Sequence, residues 1–211
     1  MSDAIIEFRQ VRKMFNHSPV LAGIDLAIRP AETLTIIGGS GTGKSVTLKL
    51  IVGLLKPEAG QVLIEGEDIS PLAEDQLLRI RKKIGMVFQS SALFDSLSVA
   101  DNIAYPLREH TAMSEEEVRE RVRETLSLVG LQGVEEHDPA DLSGGMRKRV
   151  ALARAIALVP RIILYDEPTT GLDPTNTEKI NELIVDMDEK LGVTSVVVTH
   201  DMPAFRSEER R

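Results

Sequence analysis

Lys44 and Ser45 close the stretch Gly38-Gly39-Ser40-Gly41-Thr42-Gly43-Lys44-Ser45, which fits the spacing of a glycine, any four residues, then Gly-Lys-Ser or Gly-Lys-Thr. Glycines let such a loop take dihedrals that a Cβ forbids, so successive backbone N–H groups turn inward around an anion. A helix opening directly behind the loop adds the partial positive charge of its N-terminus. The chemistry this suits is the holding of a polyphosphate, with Lys44 reaching the β- and γ-phosphates and Ser45 binding Mg²⁺. The flanks raise the stretch above a bare match. An apolar run over 33–37 reads as a buried strand leading in, and 46–52 reads as the helix leading out.

A second set of reactive side chains lies far downstream. The run Ile162-Ile163-Leu164-Tyr165-Asp166-Glu167 puts two carboxylates at the C-terminal end of a buried strand, where open α/β sheets bind their ligands. In this reading Asp166 holds Mg²⁺ through its water shell and Glu167 polarises an attacking water. Adjacent acids at a strand end also suit a plain solvated turn. Taken with Lys44 and Ser45, however, they supply the phosphate cradle, metal and positioned water that phosphoryl transfer requires together. His200, directly after the last strand, is a candidate sensor of the γ-phosphate, its plain alternative being a surface histidine. Phe15 is one aromatic in a chain with only 3% of them, and spacing leaves open whether it stacks on a purine or fills a core.

The elements that must carry these groups follow from hydrophobic periodicity. Ile6, Phe8 and Val11, then Leu21, Ile24, Leu26 and Ile28, alternate with polar residues as half-buried strands do, with a turn expected over 13–19. A turn over 57–60 and a hairpin over 61–69, with Gly66 near its middle, complete an antiparallel lobe. A buried strand is expected over 84–88, ending at Gln89. From about 90 to 160 strand signals stop. Ser114-Glu115-Glu116-Glu117 is a capping box for a helix carrying Val118, Val122, Leu126 and Val129 and ended by Gly130. Ser143-Gly144-Gly145 opens another helix over 146–158, closed by Pro160. A strand over 161–165, a helix over 176–191 and a last strand over 194–199 follow. Long apolar strands alternating with helices imply a parallel sheet covered on both faces, hence an α/β fold.

Composition sets outer bounds. At 211 residues, 42% of them hydrophobic, the chain suits one domain of two lobes. There are no cysteines, which excludes disulfides and thiolate metal sites. The first residues show neither the basic nor the apolar region of a signal peptide, so export by that route is not expected. The longest apolar stretches, 48–55 and 150–159, are broken by Lys49 and Arg154 and are too short to span a bilayer, so a membrane role has to go through a partner. A net charge of −8 argues against nucleic acid as the main partner. The basic clusters at 79–83 and Arg147-Lys148-Arg149 read as solvated faces.

With these motifs in order, nearly the whole chain resembles the ATPases of ATP-binding cassette (ABC) transporters. Leu142-Ser143-Gly144-Gly145-Met146 is similar to the family signature, Gln89 to the Q-loop, Gly171-Leu172-Asp173 to the D-loop, His200 to the switch histidine and Phe15 to the adenine-stacking aromatic. The resemblance implies a P-loop ABC nucleotide-binding domain, with a core and antiparallel lobe over 1–89 and 161–205 and a helical part over 90–160. It implies ATP and Mg²⁺ as cofactors and Glu167 and His200 as the catalytic pair. Nucleotide contacts fall to Phe15, to the loop from Gly38 through Ser45 and Val46, and to Gln89 and Asp166, and metal contacts to Ser45, Gln89 and Asp166. Two copies would sandwich two ATP molecules head to tail, each offering Ser143, Gly144, Gly145 and Met146 to the other's nucleotide, with Asp173 in the D-loop. Met146 departs from the usual glutamine of the signature but leaves Ser143 and Gly145 intact.

A narrower resemblance rests on three stretches, 88–99, 102–110 and 144–156. They are similar to the ATPases of Mla-type systems, which move phospholipid between bacterial membranes and in which Met146 is at home. That implies a place on the cytoplasmic face of the inner membrane, with an integral-membrane permease, an MCE-domain lipid-binding protein and a small STAS-type subunit as partners. An ABC ATPase for another solute, or one with a non-transport task, is the alternative. Family members continue past the switch histidine with further strands and helices, whereas only residues 201–211 follow His200, so a C-terminally shortened form with a sheet lacking its closing edge is expected.

Overall fold

The computed structural model describes residues 3–16 and 18–200. The expectation for the end of the chain, 201–211, lies outside the described residues. Two four-stranded sheets carry the fold. In the antiparallel one, β1 (Ile6–Phe15) pairs with β2 (Ser18–Ile28) and with β4 (Ala59–Ile64), and β4 pairs with the short β5 (Glu67–Asp68). The parallel one contains β3 (Thr33–Ile37), β6 (Ile84–Val87), β7 (Ile162–Asp166) and β8 (Thr194–Thr199), in the order β3-β8-β7-β6. Burial follows pairing. Every residue of β8 and the first four of β7 are buried, as central parallel strands with covered faces require, while β1 and β2 alternate.

The expected turn over 13–19 is shorter than its composition suggests, because β1 runs through Phe15 and β2 begins at Ser18. The glycine loop leads into α1 (Lys44–Ile51), whose eight residues could not hold a helix alone. Leu48 and Ile51, both fully buried between the two sheets, anchor it at roughly 1.5–3 kcal/mol each. A second short helix, α2 (Glu74–Arg81), was not expected. Its cap residue is Ala73, which has no side-chain acceptor to signal a helix start, and only Leu77 and Ile80 of its turns are buried.

Between β6 and β7 the regular elements are helical: α3 (Val99–His110), α4 (Glu115–Leu128), a 3₁₀ turn at Pro139–Asp141 and α5 (Gly144–Ile156). The capping box forms as expected, Glu117 N donating to Ser114 Oγ at 3.3 Å and Ser114 N to Glu117 Oε2 at 2.7 Å. Val118, Val122, Leu126 and Val129 then face α3 and α5 in a shared core. After β7, α6 (Pro174–Leu191) starts at Asp173, which accepts from Asn176 N at 3.1 Å, and ends at Gly192 in the left-handed region. Both α5 and α6 start two residues earlier than expected, since each start is set by a capping side chain, Ser143 and Asp173.

One partly buried polar cluster locks α6 to the sheet. Asp188 accepts from Ser195 Oγ at 2.7 Å, Thr33 Oγ1 at 3.1 Å and Tyr165 Oη at 3.3 Å. Burial pushes the Asp188 carboxyl above its ordinary range despite these three donors, and pushes the Tyr165 hydroxyl up as well. A carboxyl raised on folding contributes stability that is fully present below its unfolded pKa and is lost as pH rises through the folded one. Asn at this position keeps an acceptor for Ser195 and Tyr165 and offers an amide to Thr33 Oγ1. Asp188→Asn is therefore expected to gain on the unaltered chain as pH rises from about 4 to 7, and denaturant unfolding at several pH values measures it. A constant difference across that range would show that Asp188 is not the titrating group.

Candidate functional site

All four parallel strands deliver a predicted site residue at their C-terminal ends. β3 ends in the glycine loop, β6 is followed by Gln89, β7 ends at Asp166 with Glu167 next, and β8 is followed by His200. This is the edge of an open α/β sheet at which ligands bind. The loop itself is held by Gly38 N, which donates to Thr199 O at 3.3 Å. Gly43, at φ 93°, caps α1, and a Cβ there would lie 2.9 Å from Val20 Cγ1, so this position accepts glycine alone.

Lys44 is buried, and its Nζ donates to Gly38 O at 2.6 Å and Gly39 O at 2.9 Å while standing 3.5 Å from Glu167 Oε1. Thr42 Oγ1 donates to Gly39 O at 2.9 Å, drawing the loop tighter. Ser45 Oγ donates to Asp166 Oδ1 at 2.8 Å, so a hydroxyl and a carboxylate oxygen stand together, both hard donors. The other carboxylate oxygen of Glu167, Oε2, lies 2.6 Å from His200 Nδ1 and 3.3 Å from His200 N, with Thr170 Oγ1 at 3.4 Å. Glu167 itself takes φ 50°, a left-handed backbone uncommon for a residue with a side chain, and its N–H is tied to Val198 O at 2.9 Å.

These groups surround one open cavity of about 570 Å³ lined by Val20, Gly39 to Val46 of the loop and α1, Gln89, Glu167 and His200. Gly38 and Asp166 stand just behind that lining, each bonded to a residue in it. Phe15 does not line the cavity. It is 42% exposed, so it is not a core residue, and Lys13 Nζ lies 5.3 Å from its ring centroid. The signature residues Ser143, Gly144, Gly145 and Met146 also lie outside the cavity. Ser143 caps α5, its Oγ accepting from Met146 N at 3.3 Å, and side chains on Gly144 and Gly145 would meet Leu172 and Asn176 beside the D-loop residue Asp173.

Sequence reasoning missed three neighbours of the site. Val20 and Thr170 carry no local signal. Lys148 does, and here the expectation is corrected. Arg147-Lys148-Arg149 is not a solvated face, since Lys148 is 5% exposed and its Nζ donates to Gln89 O at 2.5 Å. Burial lowers its pKa, opposed by the charges of Asp166 and Glu167.

A strand, glycine loop and helix closing on a pair of strand-end carboxylates define the P-loop nucleoside-triphosphatase class of fold. Comparison with known proteins narrows it: residues 21–170 match the ABC transporter family model, and the chain belongs to that family. It is 46% identical, over 96% of its length, to a protein of Mycobacterium leprae named as a probable ribonucleotide transport ATP-binding protein, mkl, and it spans 58% of that protein. To the intermembrane phospholipid transport system ATP-binding protein MlaF of Haemophilus influenzae it is 43% identical over 96% of this chain and 76% of that one. The methionine import ATP-binding protein MetN of Brucella abortus is 43% identical over 97% of the chain, which spans 55% of it. The chain thus covers little more than half the length of some of these relatives. Among solved structures, a dimeric post-hydrolysis state of the ATP-binding cassette MJ0796 bound to ADP and Pi superposes with a TM-score of 0.85 at 40% identity, covering 93% of this chain and 88% of that one. Among the described residues no helix is long and apolar enough to cross a membrane.

Proposed function

We propose that the chain binds and hydrolyses ATP as a subunit of an ABC transporter, and that the transport it drives is of phospholipid between bacterial membranes. The observation that carries the ATPase reading is the convergence of Lys44, the Ser45–Asp166 pair and the Glu167–His200 pair on one cavity at the strand ends. Lys44 and the loop N–H groups hold the phosphates, Glu167 orients the attacking water, and His200 fixes Glu167 and senses the γ-phosphate. The adjacent hydroxyl and carboxylate of Ser45 and Asp166, with the Gln89 amide at the cavity wall, fit Mg²⁺, which favours a few oxygen ligands beside water and phosphate. Phe15, exposed at the end of β1, is available to the base.

The phospholipid reading rests on the likeness to MlaF, three quarters of which this chain covers, and on Met146 in the signature. Relatives named for ribonucleotide and methionine transport make another solute the alternative. In the favoured reading the chain works as a head-to-tail pair at the cytoplasmic face of the inner membrane, with a permease, an MCE-domain lipid-binding protein and a small STAS-type subunit. Purification of the membrane complex followed by lipid analysis tests it. Phospholipid held by an MCE-domain partner is the expected result, and a complex with a soluble-solute receptor and no lipid would overturn it.

The permease is expected to meet the segment from Gln89 to Tyr105. Phe94 and Tyr105, 44% and 46% exposed, form a tilted ring pair at 5.0 Å with the Arg154 guanidinium 5.9 Å from the Phe94 ring. The backbone beneath is rigid, since buried Asn102 accepts from Phe94 N at 2.8 Å and donates to Phe94 O, Leu97 O and Ser98 O at 3.0–3.1 Å. Exposed aromatics on a fixed backbone are what a docking anchor needs. Replacing Leu93 and Phe94 by Ala should release the permease while nucleotide binding persists, and co-purification of the double variant measures it. Tight assembly would sink the idea.

A further inference from the structure

We infer that Lys148 is a positioning residue of the nucleotide site, holding Gln89 at the cavity wall from the helix that begins with the signature. The inference rests on the ATP reading above. Helix α5 bears four cations that each donate to main-chain carbonyls of neighbouring loops: Arg147 to Leu142 O, Lys148 to Gln89 O, Arg149 to Val129 O, and Arg154 to Ser91 O and Ala92 O. Three of the four carbonyls of 89–92 are thus gripped by one helix. That grip has something to hold against, because Ser91 and Ala92 both stand in the left-handed region, at φ 64° and 47°. Such a conformation in a residue with a side chain persists only where surrounding contacts fix it.

Lys148 differs from the other three in being an ammonium nearly removed from water. Burying a charge merely to cap one carbonyl is costly when a neutral side chain would serve. What the buried charge holds is part of the cavity wall, since Gln89, whose main-chain carbonyl it grips, lines the cavity. A shift of α5, whose first turn is Ser143 to Met146, is passed to Gln89 through this bond. Arg149 makes the contrast: it holds Val129, which is no part of the cavity.

A double-mutant cycle tests this, read as the Mg²⁺-dependent part of the binding of a fluorescent ATP analogue to the full chain. Gln89→Ala and Lys148→Met should each weaken that part by about tenfold, and the double variant by no more than either alone. Lys148→Arg should restore most of the loss, and Arg149→Met should show none. In nucleotide-free protein the Ser91 amide, which donates to Phe88 O at 2.9 Å, should exchange its hydrogen faster in Lys148→Met. If that variant does not fold, Lys148→Gln, which keeps an N–H donor but loses charge and reach, should show the same non-additivity with Gln89→Ala. Additive losses, or unchanged binding and exchange, would overturn the inference. Absence of Mg²⁺-dependent nucleotide binding by the unaltered chain would instead overturn the ATP reading and take this one with it.

Discussion

Glu167→Gln is expected to bind ATP as tightly as the unaltered chain, to lose roughly two to four orders of magnitude in hydrolysis, and to accumulate as an ATP-bound dimer. The substitution keeps the shape of a side chain that is 11% exposed and already held on both oxygens, by Lys44 at 3.5 Å and His200 at 2.6 Å. It removes the negative charge that, in the proposed reading, accepts a proton from and orients the attacking water. The Lys44 bonds to Gly38 O and Gly39 O and the Ser45–Asp166 pair are untouched, so the groups proposed to hold phosphate and metal stay in place. Lys44→Ala should do the opposite, removing the cation proposed to face the phosphates and with it nucleotide affinity. The measurement is ATP turnover in the assembled transporter beside equilibrium nucleotide binding for each variant. Turnover of Glu167→Gln at the unaltered rate would show that Glu167 is not the residue governing the water.

The contrast between these two neighbours also shows what the sequence made legible. Asp166, Glu167 and His200 could be placed because each sits at or just past the end of a strand whose apolar run is unmistakable, Lys44 and Ser45 because the glycine loop joins such a strand to α1, and parallel strands align their C-terminal ends by construction. Lys148 was misread because three consecutive cations look solvated, yet on a helix successive residues point about 100° apart. With Ala151 and Leu152 buried three and four residues on, one of the three cations had to turn inward. Helix α2 gave no start signal at Ala73, and its charged exterior hid the two apolar residues that dock it. Val20 is a third kind of case. It reaches the phosphate loop only because the β1–β2 ribbon folds over Gly43, a tertiary contact that no local pattern encodes.

The distance of the signature from its own chain's cavity sets up the second large effect. Ser143 is exposed at the first turn of α5, where unpaired backbone N–H groups and the helix dipole suit an anion, yet it lines no part of the cavity built by Lys44. Gly144 and Gly145 abut Leu172 and Asn176, so the signature and the D-loop form one ledge beside Asp173. A second copy docked head to tail would bring that ledge to the open side of the cradle, and the related cassette MJ0796 is dimeric in its nucleotide-bound structure. Each composite site would then take Lys44 from one chain and Ser143 from the other. Homodimers of Lys44→Ala, or of Ser143→Arg, have both sites damaged and should be inactive. A chain damaged at Lys44 paired with one damaged at Ser143 concentrates both faults in one site and leaves the other whole. Random mixing of equal amounts should therefore recover about a quarter of the intact sites, since half the dimers are mixed and each has one good site of two. ATP hydrolysis of the mixture against the two parents reads this directly. Unaltered hydrolysis by the Ser143→Arg homodimer, or a mixture no more active than its parents, would mean that each cradle works without the partner's signature.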